Sequence, residues 1–175
     1  MKYIYWDSNC FIGYLKDEEY GRDARRGVVQ AVERGEAMLV TSVFTMVEVV
    51  KYKVKDTGET STIGRRECSA LEDCFSPENG VLLINVDRET AAMARRAVWD
   101  YNVDPKDAIH VGSALQFADV MLGEIDEFVF QTFDKKLIKR AQGCGGIKFE
   151  EPSVAEYPYQ LSADLGEWGV MKRLT

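Results

Sequence analysis

The chain has 175 residues, 46% of them hydrophobic and 29% charged, with a net charge of −7. This suits one globular domain around one sizeable core, and no apolar run approaches the roughly 20 residues that a bilayer span requires. The acidic balance weighs against a protein that coats nucleic acid through general electrostatics, but not against one that grips a short stretch through a local basic patch and a metal.

Residues 2–7 form a short, aromatic-rich apolar run that reads as a buried strand. The N-terminus reaches Asp7 too soon for a signal peptide, so a cytoplasmic location is expected. Residues 8–16 and 22–34 read as helices, and 37–41 as a second strand. Thr41 or Ser42 is placed to cap a helix running to about Lys55. Within that helix Val43, Val47, Val50 and Val54 mark an apolar face with Glu48 at its flank. A polar loop over 56–61 and a helix from about Thr62 to Phe75 follow.

Residues 81–86 read as a third strand, with helices at about 88–101 and 105–118. Asp104 and Pro105 give the second of these a strong start signal. A fourth strand is expected at 127–132, a helix at 134–142 and a short fifth strand at 146–149. The segment from Glu151 has no clear periodicity, but Tyr157, Tyr159 and Trp168 predict that it packs on the body. The fold class is therefore α/β, a single domain over 1–150 with a five-stranded, mainly parallel sheet flanked by helices, and a C-terminal extension over 151–175.

The four cysteines (Cys10, Cys68, Cys74 and Cys144) form no C-x-x-C pair, and Cys10 reads as a small core residue. A thiol-rich chain of this kind fits a reducing compartment. One histidine leaves little for a His-based zinc site or a Ser-His-Asp triad. Basic clusters occur at Arg22/Arg25/Arg26, Lys51/Lys53/Lys55, Arg65/Arg66, Arg95/Arg96 and Lys135/Lys136/Lys139/Arg140. Taken singly, each reads as a solvated helix face.

Four acids stand where strands meet helices: Asp7, Glu48, Asp107 and Asp134. In a parallel α/β sheet, sites form outside the carboxyl ends of the strands. Asp7 and Asp134 end strands, and Glu48 lies in the early turns of a helix leaving one. The helix bearing Asp107 precedes the fourth strand, so its N-terminus points back to the same edge. Each acid alone is explained by helix capping or by the macrodipole, worth about 0.3–1 kcal/mol. Together they predict a carboxylate pocket, with Asp7, Asp107 and Asp134 close enough to share a cation and Glu48 at its rim. Oxygen-only ligands select a hard cation, Mg²⁺ or Mn²⁺, and phosphodiester hydrolysis is the natural chemistry.

Asp7-Ser8-Asn9, the Glu48 helix, Asp107-Ala108-Ile109-His110-Val111-Gly112-Ser113-Ala114 and Thr132-Phe133-Asp134-Lys135-Lys136-Leu137 together resemble the PIN-domain family, specifically the VapC-type toxin ribonucleases. The resemblance covers roughly residues 2–150. It implies a divalent-metal-dependent endoribonuclease in which Asp7, Glu48, Asp107 and Asp134 are the catalytic acids. Asp7 and Asp107 would be the main metal ligands and Asp134 the next, while Glu48 would bind metal or orient the attacking water. Ser8, Asn9 and Thr132 would hold the carboxylates in place. The resemblance also implies an RNA substrate, an antitoxin partner and a homodimer. His110 shares a helix face with Asp107 and is read first as a packed, hydrogen-bonded residue, and Gly112 and Ala114 as close helix–sheet packing.

Two other readings compete. One is a non-catalytic PIN-like module that binds protein or RNA, which the acidic surface and aromatic tail would suit. The other is a haloacid-dehalogenase-like phosphatase with Asp7 as nucleophile. That resemblance calls for a second Asp two residues later, where this chain has Asn9.

Overall fold

The computed structural model describes residues 1–53, 58–64, 72, 74–75, 77–121, 123–124 and 127–160. In chain order the elements are β1 (Lys2–Trp6), α1 (Ser8–Leu15), α2 (Arg22–Glu33), β2 (Ala37–Ser42), α3 (Val43–Glu48), β3 (Lys51–Lys53), β4 (Thr60–Thr62) and β5 (Val81–Ile84). There follow α4 (Arg88–Tyr101), α5 (Pro105–Val120), β6 (Glu127–Gln131), α6 (Lys135–Ala141) and β7 (Lys148–Glu150). Five strands form one parallel sheet in the order β5-β2-β1-β6-β7.

Successive strand residues point to opposite faces, and both faces are covered. Ile4, Trp6, Leu39 and Val129 pack on one side with Phe11, Val28 and Val32 of α1 and α2. Tyr5, Val40, Phe130 and Phe149 pack on the other with Val111 and Ala114 of α5 and Leu137 of α6. Apolar demand on both faces explains why the strands read as continuous hydrophobic runs. The Tyr5, Phe130 and Phe149 rings stack along the second face at 4.7 and 4.8 Å.

Two expected elements differ. The helix leaving β2 ends at Glu48 rather than near Lys55, and β3 then pairs antiparallel with β4. The segment Val50-Lys51-Tyr52-Lys53-Val54-Lys55 alternates apolar and basic residues, a period-2 pattern that favours a strand over a helix. The expected apolar face of that helix is also turned. Val47 is 68% exposed, whereas Thr45 and Val49 are buried and Glu48 faces inward. Most of the helix expected over Thr62–Phe75 lies outside the described residues, and Thr60–Thr62 is strand.

Gly112 serves a helix–helix contact rather than the helix–sheet contact expected. A Cβ there would stand 2.6 Å from the Thr90 carbonyl oxygen and 2.8 Å from the Ala94 amide, so its bareness lets α5 lie against α4. Residues 151–160 cross α2. Tyr157 is buried, and a Cβ on Gly27 would come within 1.9 Å of its carbonyl oxygen. Gln30 and the Gln160 backbone exchange two hydrogen bonds, of 2.9 and 3.1 Å. Tyr159 packs its ring beneath Arg26, and Trp168 lies outside the described residues.

Candidate active site at the carboxyl edge

The strand order reverses at β1. The chain leaves β1 toward β2 and β5 on one side, and later returns to place β6 and β7 on the other. In open parallel sheets such a switch point leaves a crevice at the carboxyl ends, because the connections on either side depart in opposite directions. Asp7 follows β1 here, and Thr132 and Asp134 follow β6.

Asp7 is 4% exposed and caps α1. One carboxylate oxygen accepts from the Cys10 amide at 3.2 Å, and the other from the Thr132 hydroxyl at 2.5 Å. Burial pushes its carboxyl above the usual range, although His110, Thr132 and the Cys10 amide pull it back. Thr132 also accepts from the Asp134 amide at 3.0 Å, tying the ends of β1 and β6 together. Asp134 caps α6, accepting from the Lys136 and Leu137 amides at 2.8 and 3.0 Å.

Asp107 sits in the first turn of α5, which begins at Pro105. Asp104 holds the N-cap position without a capping hydrogen bond. Its carboxylate instead pairs with Lys136 and Arg140 of α6 at 3.1 and 3.2 Å. Among the described residues, no hydrogen-bond donor reaches the Asp107 carboxylate. Burial raises its pKa, and the nearby charges of Asp134 and Asp7 raise it further, against a smaller opposing pull from His110. The charges of Asp134 and Asp7 thus reach Asp107 across the switch point.

Glu48 is held differently. Its side chain is 9% exposed and carries an ion pair with Lys106, a hydrogen bond from the Ser8 hydroxyl and a 2.6 Å contact with His110 Nε2. Burial would raise its pKa, but hydrogen bonds from His110, Lys106 and Ser8 outweigh it and hold the carboxyl down at about 2. An ionised carboxylate only accepts, so Nε2 of His110 donates to it and Nδ1 faces the Tyr5 hydroxyl at 3.0 Å. His110 is therefore packed and doubly bonded.

The side chains as they stand do not meet the expectation of a ready three-carboxylate cage. Among the described residues, no three His, Cys, Asp or Glu groups are grouped closely enough to hold a metal ion. Like charges repel, and each acid except Asp107 has turned to a donor of the chain itself. The donor chemistry still fits a hard divalent cation: the acids offer oxygen alone, and a cation would relieve the repulsion at Asp107.

A cleft of about 760 Å³ opens beside these acids. Asn9 is exposed on its wall, and Ser8 is buried beneath Glu48. Six lining side chains are cationic (Lys16, Arg25, Lys51, Lys106, Lys135 and Lys136) against three acidic, Glu18, Glu48 and Asp134. Parts of three basic clusters thus converge here rather than standing as separate solvated faces, and Arg25 is only 2% exposed. Arg25 has a signal in the sequence. It falls on the stripe 25, 28, 29, 32, whose other members are valines, so a helix with i, i+3, i+4, i+7 periodicity turns it inward. Lys106 precedes Asp107 in the same helical turn, and only the fold brings it to Glu48.

The family model for the PIN domain matches residues 4–143. The chain belongs to the PIN-domain family. The five-stranded parallel sheet, with six helices among the described residues, agrees with a PIN domain. PIN domains are generally nucleases and typically bind divalent metals, so this PIN domain has a nuclease-type fold. A comparison with curated proteins finds no match. Among the described residues of the PIN domain, no helix is long and apolar enough to cross a membrane.

Proposed function

We propose that this PIN domain is a divalent-metal-dependent endoribonuclease, the cytoplasmic toxin of a VapC-like toxin–antitoxin pair. In this reading residues 1–150 form the nuclease domain and 151–175 an extension. What supports it is that the elements bearing Asp7, Asp107 and Asp134 meet at the switch point, where the charges of Asp134 and Asp7 act on Asp107 and no donor among the described residues reaches its carboxylate. Asp7, Asp107 and Asp134 would hold Mg²⁺ or Mn²⁺. When bound, such an ion grips phosphate oxygens, lowers the pKa of a water and stabilises a leaving alkoxide.

The chain's own groups take the remaining tasks. Thr132 and the Cys10 amide fix Asp7. Glu48 stays ionised far below neutral pH, so it orients a water as an acceptor and is a weak base for removing its proton. Lys106 and His110 keep it in place. The cationic wall of the cleft attracts the phosphate backbone despite the net charge of −7.

Mn²⁺ should raise the melting temperature, and both Asp7→Asn and Asp107→Asn should abolish that rise together with RNA cleavage. Cleavage that survives EDTA would overturn the metal-dependent reading. An antitoxin and a homodimer belong to the same proposal. A small reading frame beside the gene, encoding a DNA-binding protein that co-purifies with this chain, is the expected outcome.

One observation favours a second reading, a non-catalytic PIN-like binding module: the carboxylates are engaged with the chain's own donors rather than grouped. Titration calorimetry that detects no Mn²⁺ binding, while RNA or a partner protein still binds, would select it.

A further inference from the structure

Arg25 is a costly residue to bury. Its guanidinium is 2% exposed, and its Nε is buried with no hydrogen-bond partner. The nearest carboxylate oxygen, on Glu18, stands 3.7 Å away, beyond hydrogen-bond reach, and one Nη donates to the Glu18 carbonyl at 3.2 Å. The fold makes deliberate room for it. A Cβ on Gly13 would come within 2.3 Å of the guanidinium, so α1 lets the group pass. Its Cζ lies 4.3 Å from the Phe133 ring centroid, and Phe133 in turn meets Tyr20 edge to face at 5.6 Å. Tyr20 is 55% exposed, and all three residues line the cleft beside the acids.

Arg25 thus keeps one buried donor, Nε, without a partner and only a loose ion pair with Glu18, and on a cleft wall its planar fork matches the oxygens of a phosphate. Lys16 and Lys135 line the same cleft. The rim already engages one anion of its own. The Glu151 carboxylate accepts from the Tyr20 hydroxyl at 2.8 Å and stands 3.7 Å from the Lys135 ammonium. An exposed tyrosine braced by a second ring next to such a subsite offers a face on which an unpaired base can stack.

We infer that Arg25, Phe133 and Tyr20 form a single-strand subsite, in which Arg25 takes a backbone phosphate next to the scissile one and Tyr20 stacks the adjoining base. This deepens the ribonuclease reading and rests on it for the scissile bond, but the binding can be read without any cleavage.

The probe is a short 5′-labelled single-stranded RNA, followed by fluorescence anisotropy in EDTA with the full chain. Tyr20→Ala should weaken binding roughly tenfold, the loss expected for one base–aromatic stack, and Tyr20→Phe should restore it. Arg25→Lys keeps the charge but not the fork and should weaken binding several-fold, with thermal melting confirming the fold. The same sequence as a duplex should bind less tightly. Single-stranded DNA of that sequence should lose as much to Tyr20→Ala, because both contacts are to phosphate and ring. Wild-type affinity in both Tyr20→Ala and Arg25→Lys, duplex binding equal to single-strand binding, or no RNA binding by the wild type would each overturn the subsite. Binding that follows these variants without cleavage in Mn²⁺ would overturn the nuclease reading and leave the subsite standing.

Discussion

Asp107 and Glu48 show how two carboxylates at one edge of a sheet acquire opposite stability roles. Asp107 has its pKa raised by burial and by Asp134 and Asp7. Its stabilising contribution is therefore full below the unfolded pKa and lost as pH rises through the folded one, because its ionised form is desolvated and repelled by Asp134 and Asp7. Asp107→Asn should raise the melting temperature in EDTA, by roughly 2–4 °C if about 1 kcal/mol is recovered in a domain of this size. The same variant should lose activity, as expected where function is built on local destabilisation. Glu48 runs the other way. Its carboxyl is held at about 2, so its contribution is present above the ordinary carboxylate range and disappears as pH falls toward 2. Glu48→Gln should cost about 1–3 kcal/mol at pH 7, because it removes the charge and one of the two oxygens that accept from Lys106, His110 and Ser8. Denaturant titration should show the difference from wild type closing in acid.

At the scale of elements, sequence pattern and structure agree where local and tertiary demands coincide. Asp104 and Pro105 start α5, and the apolar run 81–84 is a strand because both its faces are covered. They part at 43–55, where Val43, Val47, Val50 and Val54 fit a helical period while Val50, Tyr52 and Val54 alternate with lysines as a strand does. Local pattern cannot choose between them, and the inward anchoring of Glu48 by residues from α1 and α5 accompanies the short helix. The acids were legible as a set because strand order and helix direction bring them to one edge. Their partners were not, since Lys106, His110 and Ser8 reach Glu48 only through contacts spanning 40 residues or more. Gly112 marks a close meeting of two helices, α4 and α5. Gly112→Ala should cost about 1–3 kcal/mol, because the contacts it would crowd are backbone atoms that cannot swing away. Urea unfolding measures it directly.

For the whole molecule, the net charge of −7 and the cationic cleft describe the same surface at two distances. Far from the protein its field repels a polyanion, whereas within a Debye length, about 8 Å at physiological salt, the local lysines and arginine prevail. Cleavage rates should therefore depend steeply on salt and on divalent cation together. In the proposed reading protons would compete with the cation for Asp7 and Asp107, both of which have raised carboxyl pKa values. The rise in melting temperature caused by Mn²⁺ should accordingly be larger at pH 8 than at pH 5, and differential scanning fluorimetry across that range tests it.

The chain contains one histidine, and its ring lies between Tyr5 of the central strand and Glu48 of the site. In a proton NMR spectrum its imidazole C–H signals are unique and need no assignment. They give a built-in spectroscopic probe a few bonds from the acidic edge. Diamagnetic Mg²⁺ bound there would shift those lines and leave them sharp, whereas paramagnetic Mn²⁺ would broaden them. Occupancy of the site could then be followed in the unlabelled wild-type protein.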